Sequence, residues 1–245
     1  MKLQNLISSV LVLPLTGWAG VLVTENFDYA DGDLTGNPAW TAHSGGGGSP
    51  IQVSSSTAVL SHGSGSREDI NTTFPAISTG TLSAMFSLTV NDDATVSGSD
   101  FEYFAHFGTG GGAAMSNFAA RMDVVAPTNS VDFNFSLGIA SESSTAEIVY
   151  DSDFIFGDQL TILLDYDLDT GLSSLTVNGG TTITTANAGS TGVSLTAFGL
   201  RQSNSSPDET ITIDNLVISD STMVPEPSTA ILGSFALLGL LRRRR

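Results

Sequence analysis

His43, His62 and His106 are the only imidazoles in the chain, and no His-x-His or His-x-x-x-His pair is present to hold zinc. A serine nucleophile would want Gly-x-Ser-x-Gly at a strand-to-helix turn; the run at 62–66, HGSGS, shares letters with that elbow but not its pattern. The three histidines are therefore expected to be structural or to lie on the surface. Asp165, Asp167 and Asp169 begin like a calcium loop, because Ca²⁺ takes hard oxygen ligands. The match stops at Thr170 in the sixth position, Gly171 one place late, and Thr176 where a glutamate should close the cage. Two aspartates beside a turn also serve ordinary hairpin chemistry. Sugar stacking needs flat aromatic faces. Those on offer are Trp40, the one tryptophan beyond the first 19 residues, with Tyr29, Tyr103, Tyr150 and Tyr166. Tyr103 alternates with Phe101 and Phe107 as one strand face would, which predicts a place in the core.

The elements that must position these groups are strands. Leu82, Ala84, Phe86, Leu88 and Val90 fall on one face of an alternating run, with Ser83, Met85, Ser87 and Thr89 opposite. Val131, Phe133, Phe135, Leu137 and Ile139 alternate in the same way, as do Leu160, Ile162, Leu164 and Tyr166, and Ile211 with Ile213. One apolar and one polar face per strand describes antiparallel sheets packed in pairs. The turn residues from Asp167 to Gly171 and the Asn178-Gly179 pair predict a three-strand meander over 158–184. The glycine run at 45–48, the segment 127–130 and the segment 203–207 are predicted loops. With no repeat of fixed period, residues 20–224 are expected to form one all-β domain, an antiparallel β-sandwich.

Charge narrows the function classes. Lys2 and four terminal arginines account for most of the eight basic residues, so residues 20–224 carry only Arg67, Arg121 and Arg201. Against them stand all the acids but Glu226, 3 basic groups to 24 acidic ones, a net of −21. Such a surface repels phosphate backbones, and nucleic acid is excluded as a partner. It also keeps a secreted domain soluble in a salty habitat. With no cysteine, disulfides, thiolate metal sites and cysteine nucleophiles are excluded.

The two ends read as addresses. Residues 1–19 have Lys2 near a short polar start, an apolar run over 6–15, and small residues at Gly17 and Ala19. That is the layout of a secretory signal helix, with cleavage between Ala19 and Gly20 and export through signal peptidase and the Sec machinery. The last residues read VPEPSTAILGSFALLGLLRRRR. The twelve-residue apolar stretch over 230–241 makes a helix about 18 Å long, short of the roughly 30 Å hydrocarbon core, which snorkelling arginines help to bridge. Arg242, Arg243, Arg244 and Arg245 orient the segment, since positive charge stays on the cytoplasmic side. This end resembles the PEP-CTERM sorting signal of Gram-negative bacteria that make extracellular polysaccharide. Pro225, Glu226 and Pro227 match its motif, 231–241 its membrane stretch and the arginine run its basic end. The resemblance implies an exosortase as partner, transient inner-membrane insertion of a short C-terminal helix over 225–245, cleavage near Pro-Glu-Pro, and delivery to the cell surface or extracellular matrix.

The middle resembles the concanavalin A-like jelly roll, in particular LamG-like domains of exported bacterial proteins. The resemblance rests on 25–36 with Trp40 after it, on 164–179, and on 211–218, which would close the sandwich beside the first strand. It implies that Trp40 anchors the core. It also implies a possible structural calcium, held by Asp214 and carbonyls around 25–28; no other cofactor is expected. In the related laminarinase and lichenase enzymes the catalytic carboxylates form Glu-x-Asp-x-x-Glu, whereas none of the seven glutamates here has Asp two residues later. The expectation is a non-enzymatic surface or matrix protein whose sandwich serves adhesion or the binding of extracellular polysaccharide. The alternatives are a carbohydrate-active enzyme with an unrecognised carboxylate pair and a purely structural matrix component.

Overall fold

The computed structural model describes residues 20–97, 102–202 and 209–220. The predicted signal, with Ala19, and the whole sorting segment (Pro225, Glu226, Pro227 and Arg242 to Arg245) lie outside the described residues, as does the predicted loop 203–207. In chain order the strands are β1 (Gly20–Glu25), β2 (Gly32–Asp33), β3 (Thr41–Ser44), β4 (Gln52–Ser54), β5 (Thr57–Ser61), β6 (Asp69–Ile77), β7 (Thr81–Asn91) and β8 (Glu102–Thr109). They continue with β9 (Ser116–Val125), β10 (Ser136–Ala140), β11 (Ile148–Val149), β12 (Gln159–Asp167), β13 (Leu172–Val177), β14 (Thr182–Thr184), β15 (Leu195–Leu200) and β16 (Thr210–Asp220).

Every pairing is antiparallel, and the strands form two sheets. The nine-stranded sheet runs β14-β13-β12-β7-β16-β5-β4-β2, with β1 paired to β16; the seven-stranded sheet runs β11-β10-β9-β8-β15-β6-β3. β16 lies beside β1 in the register Gly20 to Asp220, so the last strand closes the sandwich against the first, as expected. The predicted meander is present as β12, β13 and β14, with Asn178 and Gly179 at φ 52° and 65°, the left-handed pair of a type I′ turn.

Alternation fills the space between the sheets. Leu82, Ala84, Phe86, Leu88 and Val90 of β7 are buried, as are Leu160, Ile162, Leu164 and Tyr166 of β12. Phe86 of one sheet meets Phe198 of the other at 6.3 Å between ring centres, and Phe198 meets Phe107 at 5.4 Å. Trp40 is a core anchor, 2% exposed and stacked on Phe27. A buried carboxylate holds it there: Glu25 accepts from the Phe27 N–H, the Tyr29 hydroxyl and Trp40 Nε1 at 2.7, 2.7 and 3.1 Å. Three donors satisfy a charge that would be costly if left alone.

One predicted strand is shorter than its alternation suggested. The run from Val131 to Ile139 becomes strand only at Ser136, and Val131 is 90% exposed. The N–H groups of Thr128 and Asn129 donate to Asp153, and Val131 N–H donates to Asn129 Oδ1. These local bonds hold the chain in turns where the apolar pattern alone asked for a ladder. Among the described residues no helix is long and apolar enough to cross a membrane.

Candidate functional site

Because Phe198 points into the core, its neighbours Ala197 and Gly199 on β15 face outward from the seven-stranded sheet. Gly199 lies opposite His106 on β8 and Asn71 on β6. His106, wholly buried, is therefore on the outer face, and the other groups of that face gather round it. Its ring centre is 4.3 Å from Phe118, 5.3 Å from Tyr103 and 6.1 Å from His43. His43 comes from β3 and Phe118 from β9, so with β8 three strands contribute rings.

Three register shifts assemble this face. β8 and β9 shift register between Tyr103 and Ala105, between Ala105 and Phe107, and between Phe107 and Thr109. Ala120 stands at φ 49°, the extra residue that a bulge accommodates. Strict alternation would place residues three apart, such as Phe118 and Arg121, on opposite faces. Here the Arg121 guanidinium lies 5.5 Å from the Phe118 ring centre and 4.5 Å from that of Tyr103. The same irregularity separates Tyr103 from Phe107: Phe107 packs in the core, and Tyr103 shares the outer face with His106. The expectation that both belong to one core face is corrected by that bulge.

Arg201, just past β15, flanks Tyr103 from the strand on the other side, its guanidinium 4.6 Å from the ring centre and its Nη1 donating to the Tyr103 carbonyl at 3.4 Å. Cation–π contacts of this kind contribute about 0.5–2 kcal/mol each. Arg121 Nε is buried and has no hydrogen-bond partner among the described residues. Arg67, the third arginine of the sandwich, lies elsewhere and donates to the Gly63 carbonyl at 2.9 Å. The outer face thus collects two guanidiniums, two imidazoles and two aromatic rings, with Phe118, His43, Arg121 and Arg201 partly open to solvent.

A short helical turn at Gly112–Ala114, in the β8–β9 connection, folds onto this face. Asn71 clamps it, donating from Nδ2 to the Gly112 carbonyl at 3.0 Å and accepting the Gly112 N–H at 2.8 Å. Met115 then lies over Gly108 and Gly199. The glycines make room: a Cβ at Gly199 would sit 2.5 Å from His106 Cε1. The face is therefore partly filled, and its open part is the strip from His43 past Phe118 to the two arginines.

The imidazoles supply no charge near neutrality. Burial, with the Arg201 charge added, holds His43 down at about 4; burial, with His43 and both arginines added, holds His106 at about 3. His106 Nδ1 lies 3.3 Å from the Phe107 carbonyl, which assigns the proton to that nitrogen and leaves Nε2 as a buried lone pair. The acids of the face are Asp123, wholly buried opposite Tyr103, and Asp69, whose carboxyl burial pushes up to about 6 although Arg201 and the Gln202 N–H pull it down.

The other sequence candidates sit apart. His62 is structural, with Nδ1 3.1 Å from Glu209 in a buried pair. Asp167 accepts the N–H groups of Asp169 and Thr170, and Asp169 accepts that of Gly80. Both Asp214 oxygens are taken by Asn215, through its N–H and its side-chain amide, at a bulge of β16. Among the described residues no group of three or more histidines and acids that could hold a metal ion is present. Gly20, the predicted first residue after cleavage, donates its N–H to Asp220 at 2.6 Å. Nothing in the sequence marked the arginine pair as a site, since residues 121 and 201 meet only through the strand order β9-β8-β15.

No protein-family model matches the chain, and no curated protein does. Solved structures do. The basic winged bean lectin with Tn-antigen aligns with a TM-score of 0.51 at 12% identity, over 84% of this chain and 99% of that one. Peanut lectin in complex with a 9mer peptide gives 0.51 at 15%, over 82% and 98%. The Lotus tetragonolobus seed lectin gives 0.50 at 13%, over 83% and 100%. At such identities the likeness is one of fold, a lectin-like antiparallel sandwich.

Proposed function

We propose that this chain is a non-enzymatic, exported surface or matrix protein whose sandwich binds glycan on the outer face of the seven-stranded sheet. The observation that carries the reading is the partly open strip of His43, Phe118, Arg121 and Arg201 over the buried Tyr103, where aromatic rings and hydrogen-bond donors lie side by side. Apolar sugar faces want the rings, and ring hydroxyls or acid groups want the donors. The lectin-like sandwich, shared with a basic winged bean lectin solved with Tn-antigen, fits this use.

Export and sorting come from the two ends. Cleavage between Ala19 and Gly20 releases the chain from the Sec machinery, and the C-terminal helix then rests in the inner membrane until an exosortase acts at Pro225, Glu226 and Pro227. The product reaches the cell surface or the matrix around it. A glycan array, paired with an assay for released reducing ends, tests the role of the sandwich on the full chain. Binding without release is the expected result. Release of new ends identifies a carbohydrate-active enzyme, and self-association with no glycan bound identifies a purely structural matrix component.

A further inference from the structure

Resting on the glycan reading above, we infer that the ligand of this outer face is an acidic polysaccharide, its carboxylate or sulfate groups held by Arg121 and Arg201 on the two strand flanks of Tyr103. Residues 20–224 contain no lysine and three arginines in a background of −21. Scattered arginines would serve solubility; two of the three instead converge on one ring from separate strands. Each guanidinium lies against the face of an aromatic ring; Arg201 Nη1 also donates to the Tyr103 carbonyl and Arg121 Nε is buried, and the remaining in-plane N–H groups of each are the ones that meet an acid group. Planar two-point pairing with carboxylate or sulfate is the geometry that arginine serves best. A neutral sugar would desolvate the same guanidiniums and return no charge to them, which costs binding energy. The partly exposed Phe118 supplies the apolar surface that a sugar ring covers, while the buried Tyr103 ring backs the two guanidiniums, so the site is built for an acid group carried on a sugar.

Asp123 and Asp69 limit the attraction without cancelling it. Asp123 is wholly buried, and Asp69 Oδ1 accepts the Gln202 N–H at 3.0 Å. The polymer meets the partly exposed arginines first.

The test titrates the full chain with four polymers: polygalacturonate, its carboxyl-reduced neutral form, dextran sulfate and dextran. At least one acidic polymer should bind tenfold or more tightly than its neutral counterpart, and the two acidic arms separate carboxylate from sulfate. Arg121→Gln and Arg201→Gln should each lose tenfold or more toward the acidic polymer, so that its advantage over the neutral counterpart shrinks. Equal affinity for acidic and neutral polymers, or full acidic-polymer affinity in folded arginine variants, overturns the inference and leaves the glycan reading standing. Should either glutamine variant fail to fold, Arg201→Lys keeps a charge but loses the planar fork, and the wild-type comparison of polymers still decides. No binding to any polymer removes the glycan reading itself.

Discussion

A methyl group at position 199 has nowhere to go. It would sit 2.5 Å from His106 Cε1, 2.9 Å from Nε2 and 3.0 Å from the Met115 terminal methyl. Gly199→Ala must therefore push the imidazole toward Phe118 and Tyr103 and disturb the arginines stacked there. Weaker binding of acidic polymer, by roughly tenfold (about 1.4 kcal/mol), is expected in titrations. The same two imidazoles set the acid sensitivity of the fold. His106 and His43 are held near 3 and 4, below their ordinary 6.5. As pH falls from 6.5 toward 4 the unfolded chain takes up both protons and the folded chain does not, so stability is lost on acidification. The slope is about 1.4 kcal/mol per pH unit for His106 and less for the partly solvated His43. Asp69 opposes this below about pH 6, because its raised pKa lets the folded state hold a proton that the unfolded state releases until about 3.8. Asp165, also raised by burial, acts in the same direction. Urea midpoints at pH 8, 6 and 5 should show a net loss with acid, shallower in His43→Gln and steeper in Asp69→Asn. A wild-type midpoint that does not move over this range would refute the assignment.

Strands whose ladders run without interruption were legible in the sequence, and bulged strands were not. The β12–β13 pair keeps one register from Ile162 opposite Val177 to Asp167 opposite Leu172, so period-two alternation reads straight through it. In β8 and β9 the register shifts, and every odd-numbered offset in the sequence then misassigns a face. Tyr103, His106, Phe118 and Arg121 sit in that stretch, which is why the site was hidden while the sandwich was plain. Ala120 is the residue to probe. At φ 49° a β-branched side chain is strained, and a glycine is not. Ala120→Val should destabilise by at least about 2 kcal/mol, while Ala120→Gly stays within about 1 kcal/mol of the parent and keeps polymer affinity, as thermal melts and titration will show. β1 offers a second check at the element scale. If the mature chain begins at Gly20, the N–H that meets Asp220 at 2.6 Å becomes an ammonium, and the edge of the strand pair gains an ion pair. A half-exposed pair of this kind contributes on the order of 0.5–1 kcal/mol, present below the ordinary α-amino pKa near 8 and lost above it. A chain starting at Gly20 should therefore outlast one carrying extra residues before it at pH 6.5, and the two should melt together at pH 9.5.

At the scale of the whole molecule the two partly exposed arginines and their surroundings have opposite signs. A net charge of −21 over residues 20–224 repels an acidic polymer, yet Arg121 and Arg201 wait for it on one face. Salt separates the two effects by range. A domain of this size has a radius of gyration of roughly 16 Å, inside the Debye length of about 30 Å at 0.01 M salt and outside the 8 Å at 0.15 M. At low salt the approaching polymer meets nearly the full negative field. At physiological salt it meets only the charges near the strip, where guanidinium contact at short range persists. The association rate for an acidic polymer should therefore rise severalfold between 0.01 and 0.15 M salt, the reverse of what a basic polyanion-binding protein shows. Stopped-flow mixing across that range measures it directly. A rate that falls steadily with salt would mean that polymer is captured by a basic surface beyond the described residues, and that the two arginines are not where it lands.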